Sequence, residues 1–151
     1  MIRYFKFEED FVEDNIRCIP MVARFKLDAC GIKLKLKEWS QMNEEERVNV
    51  SEYSCSTAEE IQAYRQYLEE VILHRTGNAA QELEIDKNPG WANKEVIPAI
   101  LKQKLSECSF SMELEQWQGL NDLQRFVLVK LSRPSHENKN FPIAMREFGL
   151  V

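Results

Sequence analysis

The chain has 151 residues, with 20 Lys and Arg against 25 Asp and Glu, for a formal net charge of −5. A chain of this length buries about 68–70% of its unfolded surface as a single domain, so folding requires neither a disulfide nor a metal. The acidic balance argues against general nucleic-acid binding, which needs a basic field. With no long apolar run and no cleavable apolar leader in the sequence, a cytoplasmic protein that does not span a membrane is expected. Locally the balance reverses. Arg24 to Lys37 carries five basic residues against Asp28 alone, and Arg125 to Arg146 carries five against Glu137. Such stretches fit a surface for an anionic partner, or solvated helix faces.

From the N-terminus, Met1 to Phe7 alternates weakly and reads as a short extended arm or strand leading into a helix. Pro20 suits a first helical turn, whose N–H groups have no intrahelical partner. Met21, Val22, Phe25 and Ala29 then share a face, and Cys30-Gly31 ends the helix. Ile32, Leu34 and Leu36 alternate with Lys33, Lys35 and Lys37, which is strand periodicity. A short helix carrying Trp39 starts at Leu36 or Lys37. Asn43 with Glu46 forms a capping box that opens the next helix. Thr57 with Glu60 opens another, which runs through Ile61, Tyr64, Leu68, Val71 and Ile72. His74 and Arg75 suit the dipole of its last turn, and Gly77 stops it.

The stretch from Asn78 to Ala92 reads as an extended connection. Beyond it the pattern returns. Cys30 to Arg47, CGIKLKLKEWSQMNEEER, recurs 78 positions on as CSFSMELEQWQGLNDLQR, Cys108 to Arg125. Ile19-Pro20 and Lys26-Leu27 recur as Ile97-Pro98 and Lys104-Leu105, without a gap. One supersecondary unit used twice is the simplest reading. The expected fold is therefore mainly α, a single domain over 1–151 built from two pseudo-symmetric helical units. The first covers about 16–76, a linker about 77–94 and the second about 95–149. The two motif copies should superpose about an approximate twofold, and a short antiparallel sheet of Ile32–Lys35 with Phe110–Glu113 should join them. In the second copy Asn121 and Gln124 form the capping box, and the helix through Phe126 and Leu131 is apolar enough to be central. Ser135 should cap a final helix, His136 to Phe148, interrupted or restarted at Pro142 and ended by Gly149. The repeat makes Trp39 and Trp117 core anchors.

Cys18, Cys30, Cys55 and Cys108 show no CxxC spacing, so reduced and mostly buried thiols without metal are expected. A cysteine-based metal or iron–sulfur carrier is the alternative. Of the two histidines, His74 is accounted for by its last-turn position. His136 stands in SRPSHENKNF with Arg133, Asn138 and Asn140, a polar cluster that suits recognition of carboxylates, phosphates or carbonyls. Helix capping explains the same residues. Neither a GxSxG elbow, an HExxH pair nor a glycine-rich phosphate loop accompanies it, so no catalytic residue, cofactor or metal site is assigned.

Three segments carry a resemblance. FKFEEDFVEDNIRCIPMVARFKLDACGIKLKLKEW, AEEIQAYRQYLEEVILHRTG and LQRFVLVKLSRPSHENKNFPIAMREFGL together resemble the nitrate-reductase-associated protein family of cyanobacteria and related bacteria. RCIPM, CGIKL and SHENKNF are its distinctive parts. The resemblance implies a non-enzymatic accessory or maturation factor that binds assimilatory nitrate reductase, a molybdopterin and iron–sulfur enzyme, or its assembly intermediate. A metal or cluster carrier and a small regulatory adapter are the other readings. On the family reading, the candidate partner-binding residues are Arg133, His136, Asn138 and Asn140, with Arg17 and Cys18.

Overall fold

Proline or glycine marks several element boundaries, among them Pro20, Gly31, Gly77 and Pro98, in the computed structural model, which describes residues 5–8, 18–134 and 139–151. The described chain is mainly helical, with one two-stranded antiparallel sheet. It forms two compact units, Met1–Asp86 and Lys87–Val151. The stretch read as a linker, 77–94, is thus shared between them.

In the first unit, α1 (Met21–Cys30) starts behind Pro20, which offers no capping side chain. The carboxylate of Glu8 fills that role. It accepts the N–H of Met21 at 3.0 Å and that of Phe5 at 3.1 Å, and is only 1% exposed. Those bonds explain why Lys6–Glu8 closes into a 3-10 turn and not the extended arm read from its alternation. Residues 1–4 and 9–17 lie outside the described residues.

At the other end of α1, Gly31 takes φ 77° and turns the chain into β1 (Ile32–Lys33). Its partner is β2 (Gln81–Glu82), with Ile32 opposite Glu82 and Lys33 opposite Gln81. The expected pairing with Phe110–Glu113 is therefore wrong. Two local contacts draw 81–83 to this edge: the Leu83 N–H donates to the Gly31 carbonyl at 2.8 Å, and Arg65 links the Cys30 carbonyl (2.7 Å) to Glu82 (3.1 Å). A segment of the same unit closes that ladder at a smaller loop-entropy cost than a distant one.

Next come α2 (Leu36–Gln41), α3 (Glu44–Glu52) and α4 (Ala58–Thr76). The Asn43 and Thr57 capping boxes open α3 and α4, and Gly77, at φ 74°, ends α4. Helix α1 packs on α3 and α4, and α2 packs on α4. Their inward faces bring Ala23, Leu27, Cys30, Ile32, Trp39, Val50, Tyr64, Leu68 and Ile72 into one core. Each side chain of Leu or Phe size so buried contributes about 1.5–3 kcal/mol. Helix α4 is long, but it carries Glu59, Glu60, Arg65, Glu69, Glu70 and Arg75. Among the described residues, no helix is long and apolar enough to cross a membrane.

In the second unit, a 3-10 turn at Gly90–Ala92 precedes α5 (Ala99–Glu107), α6 (Leu114–Gln118), α7 (Asp122–Ser132) and α8 (Asn140–Glu147). Helix α7 is the centre: α5, α8 and the 3-10 turn all pack on it. Phe126, Val127, Leu128 and Leu131 are buried, as their near-continuous apolar run implies. Helix α8 begins at Asn140, so Pro142 falls in its first turn, where its missing N–H costs no helical bond. The Ser135 cap and the first turn expected from His136 lie outside the described residues.

Helix starts recur at the spacing of the sequence match: Met21 and Ala99, Leu36 and Leu114, Glu44 and Asp122. Bonds at their ends recur with them. Lys35 N–H donates to Glu38 and Glu113 N–H to Gln116, each at 2.8 Å. Arg47 Nη1 donates to the Met42 carbonyl, and Arg125 Nη1 to that of Leu120. The strand does not recur. Ser109, at φ 57°, stands where Gly31 does, and Phe110 N–H turns back to the Leu105 carbonyl at 2.8 Å. No ladder forms at residues 110–113.

Two stability predictions follow from these turns and anchors. Gly31→Ala is expected to destabilise more than Gly77→Ala. Both positions carry the left-handed penalty of about 1–2 kcal/mol. At Gly31, however, a Cβ would also meet Ile85 Cγ1 at 2.9 Å and the Leu83 carbonyl at 3.0 Å, whereas nothing lies within 4 Å at Gly77. Arg125→Met should cost about 2–5 kcal/mol, since it strands the two carbonyls that this guanidinium serves. Arg47→Met should cost less, because Arg47 is half-buried. Urea unfolding of the four variants measures both orders, and a reversal of either would contradict the assigned bonds.

Candidate functional site

The polar segment singled out in the sequence is described only at its edges. Arg133 is the exposed residue that closes α7, its N–H 3.4 Å from the Lys130 carbonyl. Asn140, half-buried, is the first residue of α8. The packing of α7 on α8 sets these two residues on either side of one helix–helix connection. His136 and Asn138, within that connection, and Arg17 lie outside the described residues. Cys18 is half-buried and belongs to the first unit, whereas Arg133 and Asn140 belong to the second.

A second feature was not legible as a site. The loop from Lys87 to Pro98 encloses an open cavity of about 410 Å³, lined by Lys87, Asn88, Pro89, Gly90, Ala92, Asn93, Val96 and Pro98. That volume is in the range of small-ligand and peptide pockets. Its floor is fixed from below by the second motif copy. Trp117, fully buried, donates its Nε1–H to the Asn93 carbonyl at 3.0 Å. Arg125, 1% exposed, donates Nε–H to the Trp91 carbonyl at 2.8 Å, and its other nitrogens go to the Leu120 carbonyl and to Asp122. Its guanidinium lies over the Trp117 ring, 5.9 Å from the centroid. On the outer side the Asn93 Oδ1 accepts the Glu95 N–H at 2.9 Å, closing a small Asx turn. The only sequence hints were Pro89-Gly90 within a long connection and the recurrence of Trp and Arg in the motif. Trp117 had been read as a core anchor alone; its indole nitrogen also fastens this loop.

All four cysteines are unbridged, three in the first unit and Cys108 in the second. Among the described residues, no three His, Cys, Asp or Glu side chains are grouped to hold a metal ion. Burial pushes the Cys30 thiol up to about 11 and the Cys55 thiol up to about 12. Each is also a weak donor to a carbonyl of α1: Cys30 to Leu27 at 3.6 Å and Cys55 to Lys26 at 3.8 Å. Burial likewise raises Tyr64, whose hydroxyl donates to the Val50 carbonyl at 2.6 Å, and lowers Lys26, whose ammonium donates to the Ser51 carbonyl at 2.7 Å. Cys30, Cys55 and Tyr64 therefore hold their protons in the folded chain at pH values where the unfolded chain releases them. Their stabilising contribution is complete below the unfolded thiol value of about 8.5 and is lost as pH rises towards the folded values. Lys26 contributes with the opposite sign, because its ammonium is released earlier in the folded chain. The two thiols and Tyr64 outnumber it: the melting temperature is expected to fall from pH 9 to 11, and to fall less in Cys55→Ala. A flat profile over that range would contradict it.

No curated protein and no solved structure matches this sequence. A family model does, that of the conserved nitrate reductase-associated proteins, and it matches residues 4–148. With nearly its full length covered, the chain belongs to the conserved nitrate reductase-associated protein family.

Proposed function

We infer that this chain is a non-enzymatic accessory factor that acts in the cytoplasm by binding assimilatory nitrate reductase or an intermediate in its assembly. The observation that carries this reading is the family match over residues 4–148. The charge distribution supports it. The chain is acidic overall, but Lys87–Val151 holds nine Lys and Arg against seven Asp and Glu. Lys130, Arg133 and Lys139 flank the α7–α8 connection, and Arg133 and Lys139 are exposed. A planar guanidinium and amide groups at such a place suit carboxylates or backbone carbonyls on a protein partner. In this reading Arg133, His136, Asn138 and Asn140 form the partner-binding surface, with Arg17 and Cys18 as further candidates, and the protein acts through contact instead of chemistry.

Truncating Arg133 and His136 together to Ala is expected to weaken binding of cofactor-free nitrate reductase about tenfold, equivalent to about 1.4 kcal/mol, with little change in melting temperature. Co-purification and thermal melts on the same preparations measure both. The opposite pattern would assign the segment a capping role: stability lower by about 1–2 kcal/mol, with normal binding by the folded fraction. If the unmodified chain does not bind the reductase at all, the accessory reading fails.

A further inference from the structure

We propose that the cavity of the Lys87–Pro98 loop is a docking groove for an extended peptide segment of a partner protein, one that places an aliphatic side chain next to a carboxylate. It rests on the accessory reading only for which protein supplies that segment.

The chemistry of the lining selects the occupant. Pro89, Ala92, Val96 and Pro98 supply the apolar wall, and Val96 is left 54% exposed. The polar lining residues are Lys87, Asn88 and Asn93, with no carboxylate in the lining. Because the Asn93 Oδ1 already accepts from Glu95, its contribution towards a ligand is its donor NH2. An ammonium and a donor amide beside an aliphatic wall complement a carboxylate adjoining a Leu, Ile or Val side chain. Basic segments are repelled by Lys87, and a purely apolar ligand would strip water from it without return.

The loop also bears the marks of a site built in advance. Surface loops are ordinarily more mobile than the elements they connect, whereas this one is tied at Trp91 and Asn93 by two side chains that are themselves buried, Arg125 and Trp117. A buried guanidinium is a costly way to hold a loop. Fixing those carbonyls before a ligand arrives removes ordering entropy from the binding step.

The test uses the full chain and two capped hexapeptides that differ only in carrying Leu-Asp or Leu-Lys at their centre. The Leu-Asp peptide should produce saturable amide shifts confined to Lys87–Pro98 in NMR titration, and the Leu-Lys peptide at least about fivefold weaker ones. Lys87→Glu should reverse that preference, and Val96→Ser should weaken both peptides while leaving the melting temperature unchanged. Linear, non-saturating shifts overturn the proposal. So do equal responses to the two peptides, or a Lys87→Glu variant that behaves like the unmodified chain. Peptide binding with these preferences sustains the groove even if nitrate reductase does not co-purify, and in that case only the accessory reading is lost.

Discussion

Short helices have many ends, and satisfying those ends is the constraint on which this structure depends. Among the described residues, no helix apart from α4 exceeds the 11 residues of α7, and α6 has only five. Each terminus leaves up to four N–H or C=O groups without an intrahelical partner, so in such helices the end groups rival the internal bonds in number. Isolated segments of this length are not stable in water. The chain answers with a repeated device: a carboxylate or amide at the third helical position reaches back to the residue before the helix. Glu38, Glu46, Glu60, Gln116 and Gln124 all do this. Where Pro20 rules the device out, Glu8 supplies the carboxylate from 13 positions away in sequence.

Glu46 and Glu60 show how the device carries electrostatics as well as geometry. Burial works against the Glu46 carboxylate, but its bond from Arg75 at 2.8 Å and the Asn43 N–H hold it below its ordinary value. Glu60 is lowered chiefly by the backbone N–H groups of Thr57 and Ser56. Bonds of this kind are worth little singly at an exposed surface. Their value lies in fixing where each helix starts, and therefore which face of it meets the core.

This is also why so much of the fold was legible in the sequence. Capping boxes, Gly31 and Gly77 act within a few residues, so the starts of α3, α4 and α7 and the ends of α1 and α4 could be read directly. The period-two alternation was read correctly as strand at Ile32–Lys33, yet it runs on into the helix that starts at Leu36. The strand's partner was not read, because alternation fixes faces and says nothing about which edge lies alongside. The second copy kept the alternation and lost the ladder: Phe110 N–H is spent on the Leu105 carbonyl. The site was less legible. Arg133 and Asn140 are candidates picked out by residue type, whereas Pro89, Val96 and Pro98, which line the Lys87–Pro98 cavity, are ordinary loop residues. Their arrangement depends on Trp117 and Arg125, at least 19 positions further along the chain, and no local pattern encodes that.

The same motif thus does different work in its two copies. Met42 and Leu120, at corresponding places, each offer a carbonyl to the following arginine. Arg47 is only half-buried. Arg125, sealed at 1% exposure, spends its remaining donors on Asp122 and on the Trp91 carbonyl of the loop. Trp39 and Trp117 are both buried, and the indole N–H of Trp117 is committed to that loop at Asn93. Holding a guanidinium there costs desolvation, which is offset by its bonds to carbonyls that its removal would strand. What it adds is a fixed direction: its planar fork accepts only one placement of the carbonyls it serves. In the second copy a helix-anchoring motif also supports an outward-facing loop, and the placement of its Trp91 and Asn93 carbonyls follows from the chemistry of the two residues beneath it.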